Sequence, residues 1–455
     1  MITRFLFALS IALLLSPPAS SAQEKKPNIV VILADDLGYA DIGAQGGSKD
    51  VKTPNIDALA AAGTRLTQGY VSCPVCSPTR AGLLTGRYQQ RFGHEMNPGP
   101  NEAPNFGLPT DQVTLAQALK DAGYATGMVG KWHLGFTPEM HPTQRGFDEF
   151  FGFLAGAHGY DALGTGKNIV QRGTTPLTEA PGYLTDVFGQ EAAAFVDKHA
   201  AGDKPIFLYL AFNAIHTPMQ APPKYRERFA DVTDEKRQTM LAMLSAMDDA
   251  VGLVTAKLKE KNALDDTLIV FLSDNGGPTP GNGSRNTPLR GTKGSTYEGG
   301  VRVPFVVQWT GGKVPAGKVY DKPAIALDIF ATALAAAGAK PPKDVTLDGV
   351  DLLPFLTGKN DAAPHETFYW RFGSRWGIRD GNWKLLQTDA EGVQLFDLAQ
   401  DVSEKNNLAT AKADVVKQLQ SKYDQWSSQM EKPRWNDTRD ANPRPRRRNR
   451  AAATE

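Results

Sequence analysis

The sequence predicts an α/β fold: a large mixed, mostly parallel sheet covered by helices, then a smaller C-terminal antiparallel sheet plus helix. Three observations predict it. Asn28–Ala34, Ala125–Gly130, Ile206–Phe212 and Thr267–Ser273 are strand-like, and three of these runs are almost wholly apolar, as strands buried on both faces of a parallel sheet are. Helix-period segments lie between them, the alternation of an open sheet with helical cover. Beyond Pro341-Pro342-Lys343 the pattern changes to short strand signals around the hairpin dipeptide Asp380-Gly381.

The elements follow in order. Arg4, the apolar run Phe5–Leu15 and the small residues Ser20-Ser21-Ala22 make residues 1–22 a signal peptide. That run is shorter than the roughly 20 residues a membrane span needs, and no later apolar run reaches that length. The expectation is export to the periplasm or exterior without a membrane span. The main domain covers residues 23–340. Within it, Thr114 opens a T-x-x-Q capping box with Gln117 before Gly123. Leu241, Leu244, Met247, Val251, Val254 and Leu258 mark a helix inside residues 233–264, and another helix is predicted over Ala324–Ala337. A C-terminal subdomain, 341–430, carries strands at Thr367–Phe372, Trp376–Arg379, Trp383–Gln387 and Val393–Leu398, then a helix at Asp414–Gln429. Residues 431–455, with Arg446-Arg447-Arg448, read as a solvated basic tail.

Composition removes several classes. The chain has 455 residues with 41% hydrophobic, which excludes wholesale disorder. Fifty Lys+Arg against 49 Asp+Glu leave a formal charge of +1, which argues against a nucleic-acid binder. Two cysteines cannot build a disulfide framework or a four-thiolate zinc site.

In open α/β sheets, ligands bind beyond the carboxyl ends of the strands. The first run ends in Asp35-Asp36, the second leads into Lys131-Trp132-His133, the third into His216 and the fourth into Asp274-Asn275. Three carboxylates and an amide are oxygen ligands for a hard divalent cation. The imidazoles and the lysine then face an anionic substrate. The nucleophile falls in Cys73-Pro74-Val75-Cys76-Ser77-Pro78-Thr79-Arg80, which has two readings. As C-P-x-C it is a redox dithiol. As C-x-P-x-R it singles out Cys76, a far more restrictive pattern that Cys73 does not satisfy, and the dithiol reading leaves the carboxylates without a role.

With these residues in place, the sequence resembles the formylglycine-dependent (type I) sulfatases of the alkaline phosphatase superfamily, the arylsulfatases and N-acetylgalactosamine-sulfatases among them. The resemblance rests on PNIVVILADDLGYADIG, CSPTRAGLLTG, GYATGMVGKWHLG, IHTP at His216, LSDNGG and LRGTKGSTYEGGVRVP, in family order over about residues 27–310. YWRFGSRWGIRDGNWKLL and LFDLAQD are similar to the family's second subdomain. The chain departs from the disulfide-bearing lysosomal members in having almost no cysteine. The resemblance implies an alkaline-phosphatase-like fold and hydrolysis of sulfate monoesters, on a sulfated small molecule or glycan. It implies that a maturation enzyme converts Cys76 to formylglycine, and that Asp35, Asp36, Asp274, Asn275 and residue 76 hold Ca²⁺ in preference to Mg²⁺. Arg80 then supports residue 76, while Lys131, His216 and Lys293 contact sulfate. Lys293 or His216 is the general acid and His133 the base. His94, Asp148, His158, Trp370, Arg371 and Arg375 are further candidates for the pocket wall. Two alternatives share the pattern: a phosphonate or phosphate-ester hydrolase of the same superfamily, and a secreted glycan-binding protein with Cys76 unconverted.

Overall fold

All side chains of Asn28–Ala34, Ile206–Ala211 and Thr267–Ser273 are buried, so these runs can satisfy their backbone only by pairing with one another. The computed structural model describes residues 26–99 and 105–436; the signal peptide and most of the basic tail lie outside them. Its strands are β1 (Asn28–Ala34), β2 (Thr64–Leu66), β3 (Gly69–Tyr70), β4 (Ala125–Lys131), β5 (Glu149–Phe153), β6 (Gln171–Arg172), β7 (Thr175–Pro176) and β8 (Ile206–Ala211). They continue with β9 (Thr267–Ser273), β10 (Phe305–Gln308), β11 (Lys318–Tyr320) and β12 (Ala324–Ile325). One ten-stranded sheet has the order β11-β2-β10-β9-β1-β8-β4-β5-β6-β7. Its centre, β9-β1-β8-β4-β5, is parallel, and β10 joins both its neighbours antiparallel.

Successive side chains of β1 enter different cores. Ile29, Val31 and Leu33 pack with the helices Cys76–Thr85, Leu115–Asp121 and Asp328–Ala336. Val30 and Ile32 pack with Leu184–His199 and Glu235–Glu260 on the other face. The Glu235–Glu260 helix is long and apolar enough to cross a membrane by length and composition, with mean hydropathy 1.3 over its most apolar stretch, but 72% of that stretch is buried inside the fold. It is a core helix. Thr114 caps its helix as expected, its hydroxyl accepting from Gln117 N at 3.1 Å; the Gln117 side chain turns instead to Asp121.

One predicted helix begins late. Ala324-Ile325 is a short strand, β12, beside β3, and helix starts only at Asp328. The reason is local: Asp328 Oδ2 accepts from Ile325 N at 2.8 Å, and Oδ1 accepts from Val350 N at 2.9 Å. Its carboxylate thus holds the preceding residues extended.

The C-terminal sheet is an antiparallel meander of β13 (Thr367–Phe372), β14 (Arg375–Asp380), β15 (Trp383–Thr388) and β16 (Gly392–Asp397), followed by the helix Ala413–Ser427. Gly381, at φ 56°, makes the tight β14–β15 turn. This sheet joins the main domain through buried polar contacts. Trp370 Nε1 donates to Val71 O at 2.7 Å, and Lys384 Nζ lies 2.8 Å from Glu298 Oε1 and 3.1 Å from Glu404 Oε1. Glu298 also accepts from Tyr70 Oη at 2.6 Å. Burial pushes Glu404 up to about 7 against the pull of Lys384. Lys384→Ala removes the cation shared by Glu298 and Glu404 and leaves Glu298 to Arg302 at 3.2 Å, and we expect a loss of about 3 kcal/mol in denaturant unfolding.

Candidate active site

The parallel strands β1, β4, β8 and β9 all end on one side of the sheet, and each delivers polar residues there. Asp35 and Asp36 follow β1, Lys131 closes β4 with His133 two residues on, His216 lies beyond β8, and Asp274-Asn275 follow β9. Gly130, at φ 110°, precedes Lys131; a Cβ there would strike the Ala211 carbonyl of β8, so only glycine lets the chain turn at this close approach. Cys76 opens a wholly buried helix, Cys76–Thr85, after an extended Val75. Its position at the helix N-terminus favours negative charge.

The side chains converge. Arg80 Nε and Nη2 donate to Asp274 Oδ2 at 3.0 and 2.8 Å, while Nη1 donates to Lys131 O at 2.9 Å. Lys131 Nζ lies 2.5 Å from Asp35 Oδ2. Lys293 Nζ lies 2.7 Å from Asp36 Oδ1 and 3.2 Å from Cys76 Sγ, and Cys76 Sγ lies 3.5 Å from Asp35 Oδ1. His216 Nε2 is 3.7 Å from Asp36 Oδ2. The Asp35, Arg80 and Lys131 side chains are 0% exposed, whereas those of His216 and Lys293 are each 18% exposed and mark the open side.

Burial alone would raise Asp35 and Asp36, but the charges of Lys131 and Arg80 on the first, and of Lys293 on the second, hold both below the usual carboxylate range. Burial lowers Lys293, yet Asp36, Cys76 and Asp35 more than offset it, so the ammonium persists. Burial pushes His133 far down, and Lys131, Arg80 and Lys293 add to that. Burial lowers His216 as well, with Asp35 and Asp36 opposing. Both imidazoles are therefore neutral at physiological pH. Asp35, Asp36 and Asp274 are balanced by Arg80, Lys131 and Lys293. Any surplus positive charge has to come from a bound cation.

The donor set fits one. Asp35, Asp36, Cys76 and His216 offer ligand atoms within 4.8 Å of one another, and Asn275 Oδ1 is buried without a hydrogen-bond partner among the described residues. Asn275 Nδ2 donates to Asp36 Oδ1 at 2.7 Å, which orients that unpartnered oxygen beside the carboxylates. His216 enters this cluster as well as facing the open side. Sequence reasoning did not find the supporting layer. Ser273 Oγ accepts from Leu37 N at 3.0 Å and donates to Asn275 O at 2.8 Å; Asn286 holds Gly277 by both its N–H and its carbonyl. Polar residues just after a strand that ends in Asp-Asn were the available signal.

Of the further candidates, Asp148 lies at the opposite end of the sheet, bonded to Thr126 and Lys120. Trp370 and Arg371 are supports: Arg371 is clamped by Glu95. His158 is buried on the Phe153 ring at 4.7 Å. Arg375 reaches the site from the C-terminal sheet, its Nη1 donating at 2.5 Å to the carbonyl of Gly294, next to Lys293. His94 is buried behind Ser77.

Comparison with known proteins agrees with this geometry. The sulfatase family profile matches residues 27–339, and the profile of the N-sulphoglucosamine sulphohydrolase C-terminal region matches 292–429. The chain belongs to the sulfatase family. With it, the chain joins the sulfuric ester hydrolases of the alkaline phosphatase superfamily. It is 38% identical over 345 residues to arylsulfatase J of Mus musculus, covering 74% of this chain and 56% of that protein. It is 34% identical to N-acetylgalactosamine-6-sulfatase of Canis lupus familiaris, covering 79% and 71%. The structure of Ps i-CgsB in complex with k-i-k-neocarrahexaose superposes with TM-score 0.85 at 38% identity, covering 92% of this chain and 98% of that one.

The same geometry disfavours a redox dithiol. Burial, then the Asp274 and Asp35 charges, pushes the Cys76 thiol up to about 12, and burial pushes Cys73 higher still, whereas redox-active cysteines have lowered values. In protein whose Cys76 is unconverted, both thiols should resist a neutral-pH thiol reagent until the chain is unfolded. Rapid reaction of either in the native state would restore the dithiol reading.

Proposed function

We propose that this sulfatase hydrolyses sulfate monoesters on a sulfated glycan, after conversion of Cys76 to formylglycine and with Ca²⁺ held by Asp35, Asp36, Asp274, Asn275 and residue 76. The observation that carries this reading is the position of residue 76, at a helix N-terminus between Asp35 and Lys293, where burial and the nearby carboxylates leave an ordinary thiol protonated. All-oxygen ligation suits Ca²⁺, and the bound cation would supply Lewis-acid polarisation of a sulfate oxygen. The aldehyde hydrate would supply a nucleophilic oxygen and a second hydroxyl whose deprotonation releases sulfate without attack of water on sulfur.

The chain's own groups divide the remaining work. Arg80, locked on Asp274 and the Lys131 carbonyl, orients the base of the site. Lys131 and Lys293 present fixed positive charge to the sulfate oxygens, the kind of preorganised stabilisation that is often the largest catalytic contribution. His133, neutral at physiological pH, accepts the proton from residue 76. His216, at the open side, gives its proton to the leaving oxygen, because an arriving anion raises its pKa. Lys293 is less suited to that step, since Asp36 holds its proton tightly. Likeness to the neocarrahexaose-bound Ps i-CgsB over nearly the whole chain supports an oligosaccharide substrate, a sulfated galactan fragment being the first to try. The N-terminal apolar run supports export.

Intact-mass analysis of native protein should find residue 76 lighter than cysteine by about 18 Da. Cys76→Ala should then cost about a thousandfold or more in kcat/KM while Cys73→Ala costs little; equal losses would refute the assignment. On paired 4-nitrophenyl esters, sulfate should be cleaved in preference to phosphate and phosphonate, and sulfate should be released from neocarra-oligosaccharides. A strong preference for phosphorus esters would make the protein a phosphohydrolase instead.

A further inference from the structure

Ser77 directly follows the nucleophile position and is fully buried together with His94. Its hydroxyl makes two short contacts, 2.6 Å to the His133 carbonyl and 2.7 Å to His94 Nε2. A serine hydroxyl has one proton to give, and a carbonyl can only accept. The proton therefore goes to His133 O, and His94 must donate to Ser77 through Nε2–H. Burial lowers His94 to about 3, so the ring is neutral and this tautomer uses its one proton on Ser77. The Gly107 backbone also acts on the ring, and Nδ1 makes no hydrogen bond of good geometry among the described residues, which leaves Ser77 as the ring's side-chain hydrogen-bond partner.

The ring itself is clamped from outside the site. Trp435 meets it edge-on at 4.8 Å and stacks on Phe106 at 5.0 Å, and Arg434 N ties that segment to Gly93 O at 2.9 Å. At the other end of the relay, His133 has φ 59°, a left-handed conformation that a non-glycine residue holds only when its surroundings impose it, at about 1–3 kcal/mol. Its N–H donates to Leu154 O at 3.0 Å and its carbonyl accepts from Ser77. Both of its backbone polar groups are thereby fixed. Gly156 leaves room for the imidazole, since a Cβ there would collide with the ring.

We propose that His94, acting through Ser77, is a positioning residue that holds His133 in its left-handed conformation and so aims the imidazole at residue 76. The consequence for catalysis rests on the reading of His133 as the base; the conformational effect does not. His94 lies outside the C-x-P-x-R motif, so its variants leave the sequence around Cys76 intact.

The test compares His94→Gln, whose amide can still donate to Ser77, with His94→Leu, which cannot. Each is made in the full chain, and its residue-76 mass and thermal unfolding are checked first. Hydrogen exchange of a peptide spanning residues 131–135 reports on the conformation. Steady-state kinetics on a sulfate ester report on the base. His94→Leu should speed exchange at the His133 and Leu134 amides and lower kcat by about 10–100-fold with KM within about twofold; His94→Gln should stay within about threefold of wild type in both. If His94→Leu does not fold, Ser77→Ala removes the same relay without disturbing the Trp435 contact, and exchange is read there. Equal effects of Gln and Leu, or unchanged exchange in the variant lacking the relay, would overturn the proposal. A wild type that cleaves no sulfate ester would instead sink the sulfatase reading, with the exchange result still deciding the positioning role.

Discussion

Three carboxylates are buried at the ends of two adjacent strands, and the site depends on what keeps them ionised. Asp35, Asp36 and Asp274 are each within 3 Å of a cationic nitrogen, on Lys131, Lys293 and Arg80 respectively. Removing a charge of either sign would leave a buried partner uncompensated, a cost of several kcal/mol. The pairing also fixes geometry. Arg80 spends its guanidinium on Asp274 and on the Lys131 carbonyl, which ties the nucleophile helix to β4 and β9 in one contact set. The arrangement is electrically balanced and ends in an unpartnered Asn275 oxygen, so a cation has both a place and a use there. An anionic ester then meets a surplus of positive charge.

The C-terminal sheet is part of this machinery as well as packed against it. Arg375 bonds the Gly294 carbonyl, and Gly294 N donates to Pro74 O at 2.9 Å. Lys293 is thus bracketed between the second sheet and the loop that leads into Cys76. Glu298, four residues beyond Gly294, is held by Lys384 and Tyr70. A loop rich in glycine would not keep a lysine ammonium 3.2 Å from a sulfur by itself; the contacts from another subdomain supply the rigidity.

Several residues near the site serve position more than chemistry. Asp36 and His133 both have positive φ, at 64° and 59°, and strained backbone of this kind concentrates where side chains must be aimed. The groups holding them, Ser273, Asn275, Ser77 and Leu154, belong to three separate stretches of chain. None is ionisable.

What the sequence by itself determined is the set of elements and the chemical types at their ends. β1 and β9 were legible to the residue because strands buried on both faces must be continuously apolar, and the polar residue that ends such a run is conspicuous. Cys76 stood out because C-x-P-x-R is a restrictive pattern. Tertiary structure decided the rest. Asp148 is an acidic residue beside a strand like Asp36, yet it lies at the far end of the sheet because it precedes β5 where Asp36 follows β1. Ala324-Ile325 is as apolar as a helix start, but the Asp328 carboxylate holds it extended. The neutrality of His133 and His216 comes first from burial, with cations brought in by a helix and a loop adding to it, and the role proposed for His94 comes from a hydroxyl shared across 56 residues of chain. These depend on distances through space, which a linear pattern does not contain.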